Sequence, residues 1–139
     1  MSSRPEELRD RTEALALRIV RPFRSLPYRT DTQVLGKQLL RCETSVAANY
    51  RAVCRARSKQ EFIARIGVVA EEADESVLWL ELLNESGITK SELTGELLRE
   101  ARELTAILTA SQRTAKRFRK LTFNYPITKF NNYSISWLM

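Results

Sequence analysis

Apolar residues recur along most of this chain at spacings of three, four and seven, the repeat of one face of an α-helix. Leu8, Leu15, Ile19, Phe23 and Leu26 make a first stripe, and Leu35, Leu39, Cys42, Val46 and Val53 a second. Phe62, Ile66, Val69, Ala73, Leu80 and Leu83 make a third, and Leu93, Leu97, Leu104, Leu108, Ala115 and Phe118 a fourth. A capping-box pattern precedes each: Ser3 with Glu6, Thr30 with Gln33, Ser58 with Glu61, and Thr89 with Glu92. In such a box the hydroxyl accepts from the third residue's N–H while the Glu or Gln reaches back to the cap. Pro5 suits a first turn, and Gly87 is a C-terminal stop. Short connections near Pro27, Ala56-Arg57 and Gly87 make successive helices antiparallel. The pattern predicts an all-α, antiparallel up-down four-helix bundle over residues 1–120.

Residues 121–139 break the pattern. "NYPITKFN" and "NYSISWLM" form a near-repeat of eight residues in which Pro126 and the β-branched side chains oppose helix. The expectation is a non-helical C-terminal tail, extended against a neighbour or disordered alone. Its aromatics Phe123, Tyr125 and Phe130 suit docking better than stacking on bases.

Composition removes several chemistries. The chain has 139 residues, enough for one domain with a real core, and no histidine. Serine–histidine and cysteine–histidine catalysis and Cys/His metal sites are thereby excluded. No apolar run approaches the length of a membrane span, and "MSSRPEELRDR" is not a signal peptide, so the expected location is cytoplasmic. Cys42 and Cys54 stand twelve positions apart. On one helix that is about 18 Å of rise, too far for a disulfide. They read as two small buried or half-buried thiols.

Helix two carries the first candidate site. On a helical wheel, Lys37, Arg41, Arg51 and Arg55 fall within an arc of about 80°, opposite the apolar stripe. The small residues Ser45, Ala47 and Ala48 permit close helix approach. The row lacks a balancing acid and is either a solvated face or a phosphate-binding surface with Arg57 at its end. The net charge of +6 is compatible with an anionic partner. A second candidate is "RTAKRFRK" at the end of helix four, with Arg113, Lys116, Arg117, Arg119 and Lys120. Cations near a helix C-terminus are favourable without any ligand, but five exceed that need.

Helix three is acidic, with Glu71 and Glu75 opposite its core stripe. Leu78 and Leu82 share that outer side, with Trp79 on the flank. This extra apolar surface reads as an oligomer contact or as a broad core face under the tail.

Residues 34–83, "VLGKQLLRCETSVAANYRAVCRARSKQEFIARIGVVAEEADESVLWLELL", resemble the four-helix-bundle proteins encoded by intervening sequences within bacterial 23S rRNA genes. The similarity runs from "RTEALALRIV" through helix four, and is most specific at "ANYR", "ARS", Phe62 and the acidic third helix ending "WLELL". The chain departs from the pattern at Cys42 and Glu43, where small residues are usual, and at Ala52, where an acid often stands. Relatives include the accessory variability protein of diversity-generating retroelements, a basic homopentamer that binds nucleic acid and a reverse transcriptase. The resemblance implies a pentameric bundle with no established enzymatic activity or cofactor, whose partners would be its own copies, RNA or DNA, and a reverse transcriptase or other protein.

Three functions compete at this level. The first is a homo-oligomeric RNA- or DNA-binding module. The second is a protein–protein adaptor without nucleic-acid binding. The third is a metal-dependent nucleotide pyrophosphohydrolase, whose Glu-x-x-Glu/Asp spacing occurs at Glu71/Asp74, Glu72/Glu75 and Glu100/Glu103. Against the third, Glu71 and Glu75 point away from the inferred core.

Overall fold

A computed structural model describes residues 4–121, with side chains through Arg117. Four helices follow in order: α1 (Arg4–Phe23), α2 (Thr30–Val53), α3 (Lys59–Glu85) and α4 (Ser91–Leu121). The expected tail, with its near-repeat, lies outside the described residues, as do Ser3 and the side chains of Phe118, Arg119 and Lys120.

The start signals act in different ways. At α3 the Ser58 side chain accepts from the Glu61 N–H at 3.0 Å, as the box predicts. Glu61 reaches back one residue further than expected, accepting from the Arg57 N–H at 3.1 Å. At α2 the expectation fails. Thr30 is already helical and Arg29 stands at the cap without a side-chain cap bond. The Asp31 carboxylate accepts the Thr32 N–H at 2.8 Å instead. At α4 the Thr89 hydroxyl pairs with that of Thr94 at 2.7 Å, and the helix begins at Ser91. Gly87 ends α3 as expected, with φ of 76°, a conformation glycine adopts without steric cost.

Each helix packs on its chain neighbours, and α1 closes the ring against α4. Among the described residues neither diagonal pair, α1 with α3 or α2 with α4, brings Cα atoms within 8 Å of each other. Contacts across the seams run in opposite order along the two partners. Arg11 meets Glu100 while Arg18 meets Glu96, and Gly67 lies against Gln112 while Glu81 meets Arg102. The helices are therefore antiparallel, up and down in turn.

The stripes supply the core, which centres on Tyr50, Phe62, Ile66, Leu104 and Leu108, all at or near zero exposure. Leu93 departs from the expected fourth stripe. It is 42% exposed, in the first turn of α4 ahead of the buried run Leu97, Leu98, Ala101 and Leu104. Phe23 and Leu26 fold back over Gly36, where a Cβ would come within 2.9 Å of both side chains. The α1–α2 turn thus depends on a missing side chain in α2.

The interior also holds polar groups. The buried hydroxyls of Thr12, Ser76, Thr94 and Ser111 satisfy themselves, donating to carbonyls three or four residues back at 2.8–3.0 Å. Glu43 has no such recourse. It is 2% exposed, and its Oε1 finds no hydrogen-bond partner among the described residues. Burial pushes its carboxyl from the ordinary 4.5 up to about 7. The hydrogen bond with Ser76 opposes that shift, and the charge of Glu100 adds to it.

A carboxyl whose folded pKa lies above its unfolded one binds more protons in the folded state. Stability therefore falls as pH rises between about 4.5 and 7 and stays at the lower value above that. A shift of this size corresponds to roughly 3 kcal/mol. Glu43→Gln, nearly the same shape without the charge, should be close to neutral in urea unfolding at pH 5. At pH 8 it should stabilise by about 2–3 kcal/mol. An equal difference at both pH values would show that Glu43 is not held neutral.

Candidate nucleic-acid interface

The outer face of α2 carries Lys37, Arg41 and Arg51, all exposed as the wheel predicts, while Arg55, expected on the same helix, is exposed in the turn that follows its end at Val53. They do not form one free row. Arg41 reaches over to α3, with Nη2 3.0 Å from Glu75 and Nη1 3.4 Å from Glu72. Its Nε is 3.2 Å from the Gln38 amide oxygen. Arg51 reaches to α1, 3.5 Å from Glu13. Acids absent from α2's own face thus arrive from the neighbouring helices, so the middle of the row is balanced, contrary to the expectation. Lys37 and Arg55 remain without an ion pair among the described residues. They stand far apart, Lys37 in the first half of α2 and Arg55 past its C-terminal end.

Arg57 lies beyond the helix end, 91% exposed and 4.0 Å from Glu61, which Arg65 holds more closely at 3.0 Å. On α4, Arg113, Lys116 and Arg117 are exposed and form no ion pair with a described residue. Arg119 and Lys120 follow outside the described side chains.

The up-down order joins what looked like two sites. The C-terminal ends of α2 and α4 close the same end of the bundle, so Arg55, Arg57, Arg113, Lys116 and Arg117 share it. The opposite end holds the C-terminal half of α3, with Glu81 and Glu85, and the first turns of α4, with Glu92 and Glu96. Lys37 belongs to that far end. The signal for this union was present in the element order, since helices two and four must finish at one end of an up-down bundle.

The acid pairs do not assemble into a metal centre. Glu71 and Asp74 are exposed. Glu100 and Glu103 hold Arg11, at 2.9 and 3.1 Å. Among the described residues one group of three could offer ligands, Cys42, Glu72 and Glu75, with ligand atoms within 4.8 Å of one another. The Arg41 guanidinium already lies against all three, 3.2 Å from the Cys42 sulfur. The residues present fit a guanidinium there.

Both cysteines are free, as expected. Burial, then the hydrogen bond with Glu72 and the nearby carboxylates, pushes the Cys42 thiol up to about 12 against the opposing pull of Arg41. A thiol so placed stays protonated and is a poor nucleophile. Burial likewise raises Cys54, which lies half-buried 3.9 Å from the Pro5 carbonyl.

On α3, Leu78 and Leu82 are exposed at 46% and 38%. Trp79 does not belong with them. It packs against the core, and its indole N–H is buried without a partner among the described residues.

The sequence profile of the 23S rRNA-intervening sequence protein family matches residues 7–110. The chain belongs to this family. A crystal structure from Bacteroides thetaiotaomicron, described as a protein of unknown function from the S23 ribosomal protein family, superposes with a TM-score of 0.69. It is 30% identical, and the match covers 76% of this chain and 97% of that one. No curated protein sequence matches the chain. The intervening-sequence profile takes in the α2 basic residues and stops before Arg113, Lys116 and Arg117. No helix among the described residues is long and apolar enough to cross a membrane.

Replacing both cysteines by alanine should leave the fold unchanged, and with it any binding of nucleic acid and any assembly. The cost in stability should be about 1 kcal/mol, mostly from the small cavity at Cys42. Chemical denaturation and a binding titration on the double variant check this. Loss of binding in a folded, assembled variant would give a thiol a role.

Proposed function

We propose that the protein is a non-enzymatic homo-oligomer, expected as a pentamer, that binds RNA or DNA through its basic bundle end. The observation that carries this reading is the set Arg55, Arg113, Lys116 and Arg117: cations from the turn after α2 and from the last turns of α4, brought to one end, none of them in an ion pair with a described residue. Arg57 adds a loosely paired fifth. Such side chains neutralise phosphates and release condensed counterions, a mode that gives affinity with little reading of base sequence. The guanidinium and ammonium groups suit backbone phosphate of either nucleic acid. Family membership is consistent with this reading, and so is the exposed apolar surface of α3, which suits a protein contact.

Titration of a structured RNA and a duplex DNA at two salt concentrations tests the proposal. Affinity should fall steeply with salt, and neutralising Arg113, Lys116 and Arg117 together should flatten the slope of log K against log salt by up to about one unit per lost contact. Arg55→Ala should act in the same direction. Arg41→Ala should change the slope less, because Glu72 and Glu75 already occupy its guanidinium. If neither nucleic acid binds at low salt, or if the neutralised variants bind like the parent, the basic end is a solvated face and the protein acts as an adaptor.

A further inference from the structure

The exposed apolar side chains are unevenly placed. Leu17 on α1 is 50% exposed, and Leu78 and Leu82 on α3 are 46% and 38% exposed, all three toward the end opposite the basic cluster, where Tyr28, Val34 and Leu93 are exposed too; Val68 is exposed nearer the start of α3. Leu17 shares the outward stripe of α1 with Ala14 and Arg21, at steps of three and four. Leu78 and Leu82 share the outward stripe of α3 with Glu85. Arg21 and Glu85 are exposed and form no ion pair with a described residue.

These two stripes point away from each other. Helices α1 and α3 occupy diagonal corners of the ring, with no Cα atoms within 8 Å of each other, so their outer faces lie on opposite sides of the protomer. They also run in the same direction and finish at the same end. Counted back from those finishes, Leu17 is six residues before Phe23, while Leu78 and Leu82 are seven and three residues before Glu85. The leucines therefore sit at the same height to within about one turn. Arg21, two residues from its helix end, stands at the level of Glu85.

We propose that the outer face of α1 in one copy docks, parallel and in register, on the outer face of α3 in the next copy. Leu17 then packs between Leu78 and Leu82, and Arg21 meets Glu85. Two complementary patches on opposite sides of one protomer make a heterologous contact, which repeats head to tail and closes into a ring if the angle allows. Lower down, Asp10 would face Glu71, like against like, which confines the close contact to the half that holds the leucines. The proposal rests on the homo-oligomer reading and specifies its interface. It leaves the outer faces of α2 and α4 uncovered.

The test uses sedimentation velocity on the full chain and its variants, with circular dichroism to confirm helix content. Leu17 and Leu78 are each about half exposed, so a charge at either leaves the core intact. The parent should sediment at a multiple of the 16.0 kDa chain. Leu17→Glu and Leu78→Glu should each fall to the single-chain mass. An equal mixture of the two variants should form a species of twice that mass and no larger, because each retains the face the other lacks. Arg21→Glu and Glu85→Arg should each weaken assembly, and the two together in one chain should restore it. If Leu17→Glu assembles like the parent while Leu78→Glu does not, α3 meets some other surface. The interface is then wrong while the homo-oligomer reading stands. A parent that stays a single chain at micromolar concentration overturns both.

Discussion

No helix here can bury its apolar stripe alone, and the shared core that results constrains everything outside it. The stripes meet around Tyr50, Phe62, Ile66, Leu104 and Leu108 in a ring of neighbours. Short connections force up-and-down order on that ring. Direction then follows: α2 and α4 finish where α1 and α3 begin. The acids Glu6, Glu7 and Glu61 stand in the first turns of α1 and α3, where the helix dipole favours them. The same dipole favours Arg51 in the last turn of α2 and the bases at the end of α4. Capping preference thus contributes to the basic end, but it acts one helix at a time. The topology gathers the separate contributions into one surface.

The seams between helices decide which charges stay available. Arg11 is shared by Glu100 and Glu103, Arg41 by Glu72 and Glu75, and Arg102 meets Glu81. These partly exposed pairs add little stability individually. Their larger effect is to take acids and bases out of circulation along the middle of the bundle. Of the bases left unpaired, Arg55, Arg113, Lys116 and Arg117 gather at one end, while Lys37 and Arg21 stand singly toward the other. A row read on one helix is therefore a poor guide to a binding surface, because its neighbours supply counter-charges that the wheel cannot display.

The hydrophobic period made the helices legible, and α3 began at Ser58 as its box indicated because a serine followed by Glu61 gives a local solution. Thr30 offered the same letters, but the helix starts one residue earlier, and the Gln33 N–H that its hydroxyl would have taken goes to the Arg29 carbonyl. Leu93 fitted the spacing yet lies off the buried side of α4, where its neighbour Thr94 takes the inward position. Glu43 was illegible for a different reason. Its neighbours Cys42 and Val46 marked the inward side, but a charged residue beside that stripe is ordinarily placed outside, and only tertiary packing shows it enclosed. The basic end was half legible: the residues were identified, while their meeting needed the helix order to be followed through to its geometric consequence. Trp79 reads as a flank position of α3, and there it packs against the core.

A parallel, head-to-tail contact between α1 and α3 would also orient the basic ends. Copies related by rotation about an axis along the helices keep the same end up, so every basic end would lie on one rim. A two-fold contact across the helices would turn successive ends in opposite directions and split the charge between two surfaces. Placing the same few unbalanced side chains on one rim raises the effective concentration of the remaining sites once one phosphate is held. A protomer with a modest surplus at one end can then hold a polyanion without needing a deep cleft. The leucines and the arginines, at opposite ends of the bundle, would have complementary tasks: one end arranges the copies, and the other presents the charge that the arrangement multiplies.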